Sequence, residues 1–443
     1  MKGSSAQLER MAPNLAKLAA AVPDPMGGLR GLARFLETHH AAGTVLAMLA
    51  DDETMATVLV SLLGRGAYLS DMLLTHPEAF VPLFVAQDVS EGPEAVEQAV
   101  LEAASSLDGD IALRELRRQK TILELQIALE EIYRRGEPES AWRLTAALAR
   151  GCAIAVARLA ARDADLDPEA FGILLLGSAG NGEPVLNSDL DLVFLHDDAD
   201  LAGRVTRAAQ RTGRELERRT ADGLLFRIDQ RLRLYGQQGV LAASLGSARD
   251  FYASKAPVTT RLALVRMRAL GGAPAASLVK ELPEILYARG FGLDDWKELR
   301  AIRDQIVAQV PPGCFDVKSS PGTLSDIEFA AAAAQLERGA DNPALRETNT
   351  RAAIGALAAA GHWSADDARV LTDAQRFFKV VESCLRTLYP RPVSQLPAND
   401  HEAHILARMA GFENFGQVTD RAAEHTAAVL RIVDRSDLRR NDA

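Results

Sequence analysis

Apolar side chains recur every three to four residues along most of this chain, and only a short central stretch breaks that rhythm. Leu15, Leu18, Ala19 and Val22 keep helical spacing until Pro23-Asp24-Pro25 stops the segment. Leu29 to Leu36, Thr44 to Leu49 and Thr57 to Leu63 predict further short helices, separated by glycine or acidic breaks. Leu69 to Leu74 leads into His76-Pro77-Glu78, where the proline disfavours helix at His76. Pro93 to Leu107 predicts another helix, closed by a turn at Asp108-Gly109-Asp110. Ile111 to Arg134 is a long amphipathic pattern with Leu113, Leu116, Ile122, Leu125, Leu129 and Ile132 at helical spacing. Its basic cluster, Arg114, Arg117, Arg118 and Lys120, reads as a solvated face, with a place over a ligand site as the alternative. Glu139 to Ala161 predicts a helix able to pack on a sheet.

The period changes near Phe171. Gly172 to Leu176 is an apolar run bounded by glycine, as a buried strand should be, and Leu190 to Leu195 is a second. Between them, Gly177-Ser178-Ala179-Gly180-Asn181-Gly182 predicts a turn that lets a ligand approach the backbone. A basic helix from about Ala199 to Gly223 precedes a third strand, Leu224 to Arg233. There Phe226 and Ile228 share one face, and Arg227, Asp229, Arg231 and Arg233 the other. Gly236-Gln237-Gln238-Gly239 predicts a turn, Ser247 to Ala253 a helix, and Thr259 to Leu270 a helix with Arg261 and Arg268 two turns apart on one side. After Gly271-Gly272 the pattern is helical almost to the end, interrupted by an extended Pro-Gly loop between Phe315 and Leu324. The fold class is therefore α+β: a mostly helical protein around a small central sheet. We expect a helical region over 1–110, a sheet domain with leading helices over 111–275 and a helical bundle over 276–443.

The 443 residues suffice for two or three domains, and 48% hydrophobic with 25% charged residues describes a globular chain. A formal net charge of −10 argues against a broad nucleic-acid surface, which would be basic. Cys152, Cys314 and Cys384 show no paired spacing and read as buried thiols in a reducing compartment. Glu9, Arg10 and Lys17 make the start a poor signal peptide, and no uninterrupted apolar run reaches a membrane span. The expectation is a cytoplasmic protein with neither membrane nor nucleic acid as partner. His401 and His404 lie three apart without a third ligand and read as surface groups.

Candidate chemistry gathers at the second strand. Asp189 and Asp191 lie two residues apart, on one face and roughly 6–7 Å from each other along the chain. Carboxylates so placed repel unless a cation joins them, and carboxylates with substrate phosphates are how Mg²⁺ is usually held. Asp229 is in the right order to supply the third carboxylate of a two-ion site, with Arg231 and Arg233 on triphosphate oxygens. Gly177 and Ser178 offer backbone N–H and hydroxyl groups to phosphate. Lys318, Asp326 and Glu328 flank the Pro-Gly loop, and Arg266 and Arg268 form a basic pair; these are secondary candidates, with a solvated face or an ordinary helix start as the alternatives.

Gly-Ser followed by Asp-x-Asp on the next strand resembles the nucleotidyltransferase superfamily that includes DNA polymerase β. More of the chain resembles the glutamine synthetase adenylyltransferase family. The resemblance runs through His76-Pro77-Glu78, Leu113-Arg114-x-x-Arg117-Arg118, Asn187-Ser188-Asp189-Leu190-Asp191-Leu192 and Asp229-x-Arg231-Leu232-Arg233. It continues in Ala263-Leu264-Val265-Arg266-x-Arg268, Asp326-Ile327-Glu328-Phe329 and Leu406-Ala407-Arg408-Met409-Ala410-Gly411-Phe412. It implies one half of a two-half enzyme, most like the half that removes AMP from a tyrosine of glutamine synthetase by phosphorolysis; the other half adds AMP from ATP. It implies two Mg²⁺ ions on Asp189, Asp191 and Asp229, adds Ser188 to the nucleotide-binding residues, and suggests a PII-type signalling protein or a separately encoded second half as partner. ATP or ADP would be the nucleotide. The chain departs from the pattern at Ser178, where the family's glycine turn carries lysine, and at Leu175, where its first glycine falls. Leu234 replaces a proline, Val258 to Leu262 a Trp-Glu-Arg type segment, and Ser325 a common arginine. Two alternatives stay open: a catalytically degenerate binding homologue, and a nucleotidyltransferase acting on another protein or a small molecule.

Overall fold

The computed structural model describes residues 2–38, 42–85, 88–105, 109–133, 137–236 and 239–441. His39, His40, Leu107, Asp108, Arg134, Gln237 and Gln238, which figure in the sequence reading, lie outside them. Among the described residues five strands form one sheet in the order β3-β2-β1-β5, with β4 also on β2. They are β1 (Gly172–Leu176), β2 (Leu190–His196), β3 (Ile228–Asp229), β4 (Ala242–Ser244) and β5 (Arg268–Gly271). β1 runs antiparallel to β2 and β5, while β3 and β4 each run parallel to one end of β2.

Alternation along β2 assigns its two faces to two cores. Leu190, Leu192 and Phe194 join a core built from the front helices, including Gly109–Tyr133 and Pro138–Asp163. Val193 and Leu195 join a second core with Tyr252, Leu262, Leu278 and Trp296. A third core fills the C-terminal bundle around Phe378, Leu385 and Leu406. The first core extends from Leu15 to Ala242. Pro138–Asp163 has the length and mean hydropathy (1.5) of a membrane span, but 83% of that window is buried inside the protein. Its alanines and Gly151 let neighbouring helices approach closely, so it serves as the central core helix.

Several expectations are corrected. The third strand is two residues long, because the Phe226 N–H donates to the Leu216 carbonyl and the Arg231 N–H folds back onto Asp229. The helix expected over Thr259 to Leu270 stops at Leu264, and Arg268–Gly271 leaves it as β5 to cover the free edge of β1. Arg261 and Arg268 therefore do not share a helix face. Arg261 is fully buried on Asp295, and Arg268 holds the Gly180 carbonyl and the Thr348 hydroxyl. In the basic cluster Arg114 and Arg118 are exposed, but Arg117 is buried against Glu215 and Lys120 against Glu124. Cys152 and Cys384 are buried; Cys314 is exposed. His401 and His404 are exposed as expected.

Candidate active site

β1 ends at Leu176 and the chain turns at once into a five-residue helix, Gly177–Asn181. Gly177 has φ +64°, and a Cβ there would stand 1.9 Å from an Oδ of Asp191. A Cβ on Gly180 would stand 2.4 Å from the Arg266 carbonyl oxygen. Glycine is thus required twice, once to admit the Asp191 carboxylate and once to seat the helix on the strand that follows Arg266. Asn181 then reaches across to the C-terminal bundle: its side chain accepts from the Thr350 N–H at 2.9 Å. Two residues on, Glu183 binds Arg351 and Gln375.

Asn187, in left-handed conformation (φ +62°), swings the chain into β2 and donates to the Arg386 carbonyl at 3.0 Å. Asp191 and Asp229 are directly paired on adjacent parallel strands. Burial, then the neighbouring Asp229 charge, pushes the Asp191 carboxyl up to about 6, against the pull of Lys318, Arg231 and Arg266. Asp229 is also partly buried, but hydrogen bonds from Arg231 outweigh that and hold it below the ordinary carboxylate range. The Arg231 Nε donates to Asp229 at 2.7 Å.

The remaining candidates divide. Asp189 accepts from the Arg227 Nε at 2.9 Å, and its side chain is 43% exposed. Among the described residues no three Asp, Glu, His or Cys side chains are arranged to hold a metal ion. The structure brings Asp191 and Asp229 together and leaves Asp189 on Arg227. Arg233 turns away to the Gly236 carbonyl, since the strand ends before it. Ser188, just before β2, lines a cavity shared with Tyr68, Lys120 and Glu124 of the front helices. Arg266 pairs with Glu328 at 2.7 Å. Glu328 is held below its ordinary range, because Arg266, Lys318 and Lys379 outweigh its burial. Asp326 is engaged elsewhere: it is clamped by Arg303 at 2.5 and 2.7 Å and accepts the Gly322 N–H.

Lys318, like Arg231, is an exposed cation of this corner. Asp316 fixes its loop by accepting the N–H groups of Lys318 and Ser319 at 2.9 Å each. The Lys318 charge acts on Asp191, Asp229, Glu328 and Glu382 together. Glu382 is drawn down to about 2 by Lys379, Lys318 and Arg386 against its burial. The sequence pattern places Arg227 on the Asp229 face of the third strand but gives it no role, and it does not single out Lys379, Glu382 and Arg386. No motif marks the Arg227 pairing, and the other three lie some 190 residues beyond β2 in the helix Ala365–Leu388.

Asp191 and Asp229 lie side by side in register, the Asp191 carboxylate seated against Gly177, and both burial and the neighbouring Asp229 charge disfavour its ionisation, which is the setting a cation bound to the pair would relieve. A small mixed sheet inside helical cores, with paired acids on adjacent strands and a glycine helix beside them, is the nucleotidyltransferase type of fold. Comparison with known proteins narrows the class. The glutamate-ammonia ligase adenylyltransferase family matches residues 56–281, and the GlnD PII-uridylyltransferase family matches residues 312–435. A bifunctional glutamine synthetase adenylyltransferase/adenylyl-removing enzyme of Xanthomonas campestris pv. campestris (strain B100) is 30% identical, over 92% of this chain and 46% of its own length. One from Streptomyces avermitilis is 28% identical over 97% of this chain and 44% of its own. The chain belongs to the glutamate-ammonia ligase adenylyltransferase family, and it spans about half the length of the curated relatives it matches.

Proposed function

We propose that this chain is a Mg²⁺-dependent, cytoplasmic nucleotidyltransferase that adds AMP to, or removes it from, a tyrosine of glutamine synthetase. The observation that carries the reading is the Asp191–Asp229 pair, register-matched on β2 and β3, with the Asp191 carboxyl raised to about 6. Asp191 and Asp229 would hold Mg²⁺, with Asp189 joining when it leaves Arg227. When bound, the ion neutralises phosphate charge and lowers the pKa of the attacking oxygen. The protein's own groups orient the nucleotide. Gly177 and Ser178 meet phosphate oxygens, while Lys318 and Arg231 place positive charge where the leaving phosphates gather. In the adding direction the tyrosine oxygen bonds to the α-phosphorus of ATP and pyrophosphate leaves. In the removing direction a phosphate oxygen bonds to that phosphorus and the tyrosine oxygen leaves, giving ADP. Positioning for in-line displacement does most of the work in either direction. The match of residues 312–435 to the PII-uridylyltransferase family supports a PII-type protein as the regulatory partner.

A binding-only homologue is the second reading, favoured by the Arg227 bond to Asp189 and by Ser178 in the lysine position. Incubation with glutamine synthetase, Mg²⁺ and either ATP or phosphate, followed by mass measurement of the tyrosine, separates the two. Transfer is expected with the wild type and its loss with Asp191→Ala at unchanged helicity. Equal turnover in the two would reject the assignment, and nucleotide binding without any transfer would favour the second reading.

A further inference from the structure

On the far side of β2 from Asp191 lies a cavity of about 340 Å³, large enough for a small organic molecule. Its floor is a buried polar set on the front helices. Lys120 and Glu124 are bonded to each other and both more than nine-tenths buried, and the Tyr68 hydroxyl donates to Glu124 at 2.7 Å. Met72, Leu224 and Phe226 supply apolar wall. Arg219 and Asp71, both exposed, line it as well, together with the half-buried Arg227.

The charges select an occupant. Lys120 is neutralised by Glu124 and Arg227 is held by Asp189, which does not line the cavity, so the lining itself carries Arg219 and Arg227 against the one further carboxylate of Asp71. Arg219 makes no hydrogen bond or ion pair among the described residues. Two guanidinium groups over an apolar wall suit an organic anion, with its acid group toward the arginines and its carbon body on Met72, Leu224 and Phe226. Arg227 is the element of interest because it belongs to both sides. It lines the cavity, bonds the Asn187 side chain, and holds Asp189 through its Nε.

The geometry points to a second binding site here, for a small organic anion carrying a carboxylate or phosphate group. Its occupancy is passed to the catalytic face by Arg227. An anion in the cavity competes with Asp189 for the guanidinium. Released from Arg227, Asp189 is free to join Asp191 and Asp229, so ligand and divalent ion strengthen each other's binding, reciprocally. The coupling rests on the metal reading given above, whereas the cavity site stands without it.

Benzoate and phenyl phosphate are suitable probes of the full chain, matching in body and differing in acid group. With ¹⁵N-labelled arginine, either probe should shift the Arg227 Nε–H resonance saturably, assigned by its absence in Arg227→Lys. The better of the two identifies the acid group preferred. Mn²⁺ affinity, read by electron paramagnetic resonance, should rise by about fivefold or more with saturating probe. Leu224→Trp, which fills the cavity, should abolish the probe shift while leaving Mn²⁺ affinity in its absence unchanged. Arg219→Ala should weaken the probe several-fold and serves if the tryptophan variant does not fold. No shift with either probe, or a shift of equal affinity in both variants, overturns the site. Probe binding at unchanged Mn²⁺ affinity overturns the coupling. Failure of wild-type Mn²⁺ binding overturns the metal reading and with it the coupling, while the Arg227 resonance still decides the cavity.

Discussion

Asp191 concentrates the electrostatics of the site in one titration. Its ordinary carboxyl value is 3.8 and burial beside Asp229 lifts it to about 6. Between those values the folded chain keeps a proton that the unfolded chain releases, so its contribution to stability falls as pH rises from about 4 to about 6 and then levels. Two pK units correspond to about 3 kcal/mol. Asp191→Asn, which cannot ionise, should therefore be more stable than the wild type at pH 7 by up to about 3 kcal/mol, with the gap closing toward pH 4. Urea denaturation of the two proteins across that range measures it; a gap independent of pH would contradict the burial argument. The same shift predicts that divalent-ion affinity weakens as pH drops through about 6, where the carboxylate takes its proton.

Elements explain why some candidates kept their place and others moved. Asp191 was legible because a strand's alternation and a glycine-rich break can be read from neighbours in sequence. Asp326 looked equally acidic, yet its meaning depended on Arg303, 23 residues earlier on the helix Leu293–Ala308. No local pattern announces such a pair. Likewise β4 and β5 are three and four residues long, shorter than any period can reveal, and both exist to pair with strands distant in the chain. The bidentate clamp makes a prediction at this scale. Arg303→Met leaves the Asp326 carboxylate, 4% exposed, without its counter-charge, and should destabilise the chain by about 3 kcal/mol or more. Calorimetric melting checks this, and the proposed AMP transfer, measured per folded molecule, should be unaffected. A melting temperature equal to the wild type's would return Asp326 to the list of site candidates.

At the scale of the molecule, the catalytic sheet and the C-terminal bundle are tied by charges that reach across the chain. Arg351 binds Glu183 and Glu139, Asn181 accepts the first N–H of the helix Thr350–Ala359, and Asn187 holds the Arg386 carbonyl. Trp142 sits at the centre of this seam, 1% exposed, with Arg351 and Lys379 each 5.5 Å from its ring. Both cations come from the bundle, while the indole belongs to the core helix Pro138–Asp163. The other two tryptophans, Trp296 and Trp363, pack in the second and third cores. Nature has thus placed an optical gauge at the joint. Any partner that pries the two halves apart would wet this indole and redden its fluorescence, and a Trp142→Phe control would isolate that signal from the other two emitters.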